Sequence, residues 1–337
     1  MKNRTDWVDY AKGIGILLVV YGHVARGLFN AKIDMPAALY FRIDSAIYSF
    51  HMPLFFFLSG LFFYHSFSKR GTKKLMFSKV DTIFYPYVLW SLLQGSIEAV
   101  LSTYTNGNVS FSDVLALLWA PRAQFWFLYA LFFAFLVSSI VYTTASKPLG
   151  GGFFVITVLL YVFASFLPDF TFIKLLSKNL VFFILGIIFT QYRLERFLTS
   201  GAALGATFVL FVFVQWGYHD LLGLDYRQRG AESLIVAICS IAFVTSLSIT
   251  ISKGAFGFLK TLGAASMAIY VMHVLAGSGV RVVLTKGMGI ESVSIHLVLG
   301  MVVATLAPLA AYQIIERFRI PFILSAPISR WFQPRSQ

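Results

Sequence analysis

Apolar residues fall along this chain in runs of roughly 17–25, the length an α-helix needs to cross a bilayer core at about 1.5 Å per residue. The runs cover 12–29, 45–64, 81–101, 124–143, 152–167, 176–191, 198–217, 231–251, 262–284 and 294–314. Polar or glycine-rich breaks separate them, as at 103–112, 147–152 and 218–230. The pattern predicts an all-α, polytopic membrane protein of about ten transmembrane helices. No internal repeat is visible, and no stretch is long enough for a soluble second domain. Residues 1–337 are therefore expected to form a single membrane domain, with an N-terminal segment 1–11, a bundle 12–314 and a tail 315–337.

Composition agrees with the pattern. Hydrophobic residues make up 58% of the chain and charged ones 12%, and mean hydropathy is +0.78, which excludes an ordinary soluble globule. The single cysteine, Cys239, rules out a disulfide within one chain. The first run is long, carries Lys12 and lacks a small-residue cleavage site, so it reads as a retained span and not a signal peptide. Lysines and arginines concentrate in the loops that share a side with the N-terminus, most densely between Lys69 and Lys79. By the positive-inside rule both termini are expected in the cytoplasm. The net charge of +13 reads first as this topology signal and as contact with anionic membrane lipid. A sharper reading has Lys12 and the cluster Arg70, Lys73, Lys74 and Lys79 hold a polyanionic cytosolic substrate such as coenzyme A. Nucleic acid is not an expected partner, because the cations are spread over membrane loops.

The candidate chemistry lies at depth. Eleven positions separate Lys12 from His23 in the first run, almost three helical turns, so both face one way about 16 Å apart. His23, His51 and His273 all fall at similar depth in the outer half of the bilayer. Ionisable side chains there are expensive and mark functional sites; the plain alternative is a neutral ring bonded to a neighbouring helix. Gly13, Gly15 and Gly22 permit a close helix neighbour or an inserted ligand. Pro53, two residues after His51, should interrupt backbone bonding. Ser266, Tyr270 and His273 share a helix face. Trp126 opens the fourth run, where it suits interfacial anchoring or stacking on a sugar. Glu98 and Glu316 are buried-carboxylate candidates that should pair with basic residues.

In this order and spacing the motifs resemble the integral-membrane acyltransferase family 3, in its fucose 4-O-acetylase-like, polysaccharide O-acetyltransferase branch. Lys12 and His23 match a basic-x10-His motif. Phe50-His51-Met52-Pro53-Leu54-Phe55 leading to Leu58-Ser59-Gly60 is similar to the second-span signature. Phe125-Trp126-Phe127-Leu128, Ser266 to His273, and Tyr312 to Arg317 resemble three further elements. Lys12 stands where many relatives carry Arg, and Phe318 where Pro is common.

The resemblance implies transfer of an acetyl or other short acyl group from cytosolic acyl-CoA, acetyl-CoA foremost, to a hydroxyl of a glycan or lipid-linked saccharide. The location it implies is the bacterial inner membrane. Lys12, Arg70, Lys73, Lys74 and Lys79 would hold the CoA phosphates, and a pantetheine arm is comparable in length to the Lys12–His23 separation. His23 would act as general base or as a transient acyl carrier. His51 or His273 would orient it or protonate the thiolate, and Tyr270 or Ser59 would donate to the oxyanion. Trp126, Arg42, Asp44 and Glu98 are the candidate acceptor contacts. No metal is expected, and a homo-oligomer is compatible with the reading. The rival is a saccharide transporter or flippase.

Overall fold

The computed structural model describes residues 6–101, 109–144, 150–254 and 256–331. Most of the breaks predicted at 103–112 and 147–152 lie outside the described residues, as do the chain ends 1–5 and 332–337. The described residues are helical with no strand among them. In chain order the helices are α1 Asp6–Asn30, α2 Ala37–Tyr48, α3 His51–Gly60, α4 Phe63–Lys79 and α5 Tyr85–Val100. Then come α6 Phe111–Leu115, α7 Trp126–Thr144, α8 Gly150–Val162, α9 Thr171–Gln191 and α10 Gly201–Trp216. The last are α11 Ala231–Ile251, α12 Gly257–Ala264, α13 Ser266–Val282 and α14 Val293–Phe318.

Among the described residues seven helical stretches are long and apolar enough to span a bilayer, or eight if one bent pair is one span. Hydropathy predicts about ten. The difference has two sources. The second and third predicted spans belong to one broken pair, Ala37–Gly60 and Phe63–Val100, which counts as at most a single span. The fifth predicted span is the short helix α8 of 13 residues. The chain is a multi-pass, all-α membrane protein. Its described residues cluster into two compact units, Met1–Leu58 with Tyr192–Gln313 and Ser59–Gln191 with Ile314–Gln337.

In the first unit α1 is wrapped by α11, α12 and α13. Lipid tails are as apolar as leucine, so helices in a bilayer associate through close van der Waals packing and not through hydrophobic exclusion. Glycines supply it here. A Cβ on Gly13 would overlap the Leu259 carbonyl, and one on Gly263 the Asp9 carbonyl. Each helix thus brings a glycine against the other's backbone. Ala11, Ile16 and Val20 of α1 are fully buried behind this crossing.

The second unit is held by aromatic packing. Phe63 of α4 meets Phe135 and Tyr142 of α7 and Phe183 of α9, with ring centroids 5.5–6.0 Å apart. Gly60 fits against the Phe183 carbonyl. The chain after α14, expected as a tail, is pinned where it is described. Trp90 donates its indole N–H to the Ile323 carbonyl at 2.9 Å, and Asp81 accepts the Ser329 backbone N–H at 2.8 Å.

Candidate active site

Helices α1 and α13 bring His23 and His273 together, ring edge to ring face, with centroids 5.0 Å apart. His273 is 1% exposed. Its Nδ1 lies 3.0 Å from the Ile269 carbonyl and 2.7 Å from the Tyr270 carbonyl. A carbonyl only accepts, so Nδ1 carries the ring proton and Nε2 is left as a bare acceptor. That Nε2 is buried and has no partner. His23 is half-buried at a cavity, and neither of its ring nitrogens is hydrogen-bonded to a described residue. A fixed imidazole beside an uncommitted one suits proton transfer more than scaffolding.

The third histidine is positioned by a helix break. The Pro53 ring excludes a continuous helix through the carbonyl four residues earlier, and α2 accordingly stops at Tyr48. The chain turns at Ser49 and Phe50, and α3 begins at His51, which places Pro53 in a first turn where its missing N–H costs nothing. His51 donates from Nδ1 to the Ile47 carbonyl at 2.8 Å and packs edge-on against Tyr48, centroids 4.4 Å apart.

One turn beyond His23, Arg26 makes two parallel hydrogen bonds to Asp44, at 2.8 and 2.9 Å. Its guanidinium lies 3.2 Å from the Tyr48 ring centre, and the Tyr226 ring is 5.1 Å away. This cation–π layer fixes the Tyr48 ring. The Tyr48 hydroxyl is buried with no partner and reaches the Cα of Gly22, where any side chain would collide with it. The result is a free O–H donor beside the residue that precedes His23.

A family model for acyltransferase 3, an acyltransferase domain, matches residues 5–313. The chain belongs to that family. Two relatives, both called nodulation protein NolL, are similar to part of it. The protein from Sinorhizobium fredii is 28% identical over 196 residues, 56% of this chain and 50% of its own length. The protein from Mesorhizobium japonicum is 26% identical over 195 residues, 56% of this chain and 48% of its own. The chain spans about half the length of the curated relatives it matches. No solved structure matches it.

Other candidates of this acyltransferase-3 chain are placed differently. Lys12 is bound to Asp9 at 3.3 Å, and Lys260 to Asp6 at 2.8 Å, so the N-terminal turn of α1 is a small network of charges. The Asp6 carboxylate raises the pKa of Lys260. Arg42 and Asp44, which lie between the first two predicted runs, both sit on α2. Arg42 is paired with Asp220, and Asp44 is 6% exposed beneath Arg26. Tyr270 is beside His273, ring centroids 6.1 Å apart.

Ser59 falls in the second unit, near the end of α3. There too α4 presents Lys69, Arg70, Lys73 and Lys74 to the exterior, none paired with a described carboxylate, around a kink at Gly71 (φ 69°). Lys79 is half-buried, 4.2 Å from the Phe135 ring centre. Glu98 is held by Arg122 at 2.6 Å and by Gln94 at 2.7 Å, a structural pairing of the kind expected. Trp126 begins α7 just past Gln124, which pairs with Gln94.

Sequence reading missed Arg26, Tyr48 and Tyr226. Arg26 left a signal: a second charge inside an apolar run, three residues after a buried histidine. Tyr48 and Tyr226 left none, because an aromatic side chain in such a chain is ordinary.

Proposed function

We propose that this protein is an inner-membrane acyltransferase that moves a short acyl group, acetyl foremost, from cytosolic acyl-CoA to a saccharide hydroxyl. The acceptor is a glycan or lipid-linked saccharide. Both termini are taken to be cytoplasmic. The observation that carries the reading is the His23–His273 pair: one imidazole is fixed by backbone carbonyls with Nε2 bare, and the other faces a cavity.

The chemistry follows. His23 removes the acceptor hydroxyl proton as its oxygen attacks the thioester carbonyl, forming the new C–O bond. The C–S bond then breaks, and the proton passes from His23 to the departing thiolate, so CoA leaves as the thiol. His273 Nε2 receives the hydrogen bond of the protonated partner during the transfer. The Tyr48 O–H is the donor offered to the tetrahedral oxyanion, with Tyr270 the alternative. Arg70, Lys73, Lys74 and Lys79 in the second unit attract the CoA phosphates. Lys12, in the first, must exchange Asp9 for a phosphate to do so.

The test is direct. Membranes containing the protein are incubated with acetyl-labelled CoA and host glycans, alongside membranes lacking it. Label in polymeric or lipid-linked saccharide is expected only with the protein. Movement of unlabelled saccharide across vesicles without any acetylation would replace this reading with transport.

A further inference from the structure

The cavity beside His23 and His273 continues toward the C-terminal end of α1, between α13 and α14. Gly27, Gly277 and Gly300 are among the residues that line it, so backbone approaches it from three helices. Beyond the histidine pair it meets three polar side chains that the transfer chemistry does not use, Ser278, Arg281 and His296.

Arg281 is 8% exposed and forms no ion pair with a described carboxylate. One of its nitrogens donates to the Gly27 carbonyl at 2.6 Å. No acidic residue lines the cleft. A buried cation without a counter-ion is costly, and in a membrane protein such a group characteristically faces a substrate. His296 is 1% exposed; Nε2 lies 2.8 Å from the Ile290 carbonyl and must donate to it, which leaves Nδ1 a bare acceptor, buried and without a partner. One unpaired cation and one unpaired acceptor thus share a wall with His23.

The cleft has about 370 Å³ of free space with its open mouth included.

We propose that this cleft is an anion subsite for the acceptor, in which Arg281 binds a carboxylate or phosphate carried by a saccharide. His296 Nδ1 accepts from a hydroxyl near that anion, and another hydroxyl of the same sugar faces His23. The acceptor class is therefore an acidic saccharide. The acceptor role rests on the transferase reading; the anion site does not.

The test uses the full-length protein in detergent, with binding read as the rise in thermal unfolding midpoint. The probes are methyl glucuronoside, glucose 6-phosphate, neutral methyl glucoside and inorganic phosphate. Either acidic sugar is expected to bind at least about tenfold more tightly than methyl glucoside, with inorganic phosphate weaker than glucose 6-phosphate. Arg281→Gln is expected to remove the preference and Arg281→Lys to restore part of it, as a point charge without the planar fork would. Arg193→Gln, an exposed arginine elsewhere in the same unit, should keep the full shift. Equal binding of acidic and neutral sugars, or an unchanged preference in Arg281→Gln, would overturn the subsite. Inorganic phosphate binding as tightly as glucose 6-phosphate would overturn its assignment to a saccharide. Label transfer from acetyl-CoA is measured on the same preparations. Arg281-dependent binding without any transfer sinks the transferase reading and leaves the anion site standing, whereas transfer with no such preference does the reverse.

Discussion

Arg26 and Asp44 are joined by a two-pronged ion pair, with Asp44 almost closed from the exterior and the Arg26 guanidinium stacked on Tyr48. Neither half can be changed alone without exposing the other. Arg26→Lys keeps the charge but loses the fork and the stack, and Asp44→Asn leaves a guanidinium unpaired. Breaking a buried pair costs about 3–5 kcal/mol. Because the Arg26 side chain is 27% exposed, each single change is expected to cost about 2 kcal/mol, with the unfolding midpoint in detergent lowered accordingly. The double change Arg26→Met, Asp44→Leu should recover part of the loss. Two unaffected single variants would show the pair to be dispensable for folding.

The crossing of α1 and α12 gives a sharper folding prediction. Gly13→Ala and Gly263→Ala each drive a methyl into a backbone carbonyl and should each destabilise by about 2–3 kcal/mol or prevent folding. Gly205→Ala, inside α10 with nothing within 4 Å of where its Cβ would stand, should gain about 0.5–1 kcal/mol instead. Yield and unfolding midpoint of the three variants check both signs. If Gly13→Ala matches Gly205→Ala, the close crossing is wrong.

How far the sequence carried these conclusions depends on what each residue signals by itself. The helices were legible because long apolar runs admit few other structures in lipid. His23 and His273 stood out as candidates because ionisable side chains are rare inside long apolar runs. The bend joining the second and third runs was not legible, since hydropathy counts residues and carries no direction. Asp44 fell just outside the run 45–64, because a charge before an apolar run looks like its edge; its partner Arg26, 18 positions earlier, is what lets it be buried. Lys12 was read as a contact for the CoA phosphates, and its ion pair with Asp9, three positions earlier, was not part of that reading. Tyr48 and His296 emerge only from packing.

Tyr48→Phe keeps the ring between Arg26 and His51 and removes only the hydroxyl. The transfer rate is expected to fall about 100-fold, with KM for acyl-CoA and the unfolding midpoint unchanged. Turnover at the wild-type rate would remove Tyr48 as the oxyanion donor and leave that role to Tyr270.

The exposed cations of α4 make a prediction about the donor. Replacing Arg70, Lys73 and Lys74 together by Gln should raise KM for acyl-CoA about tenfold and leave kcat within about twofold. Added salt should narrow the gap to wild type, because surface charges are screened. An unchanged KM would show that α4 does not contact the donor. Lys12→Ala, measured in parallel, should weaken CoA binding less if Asp9 already holds that lysine.

The most direct measurement compares wild type with His23→Ala, in parallel assays of CoA binding and of label transfer from acetyl-CoA into saccharide. His23→Ala is expected to bind CoA as wild type does while transfer falls by at least about 100-fold, the usual contribution of a positioned general base. Transfer at the wild-type rate in His23→Ala would contradict the assignment of the reaction to the His23–His273 pair.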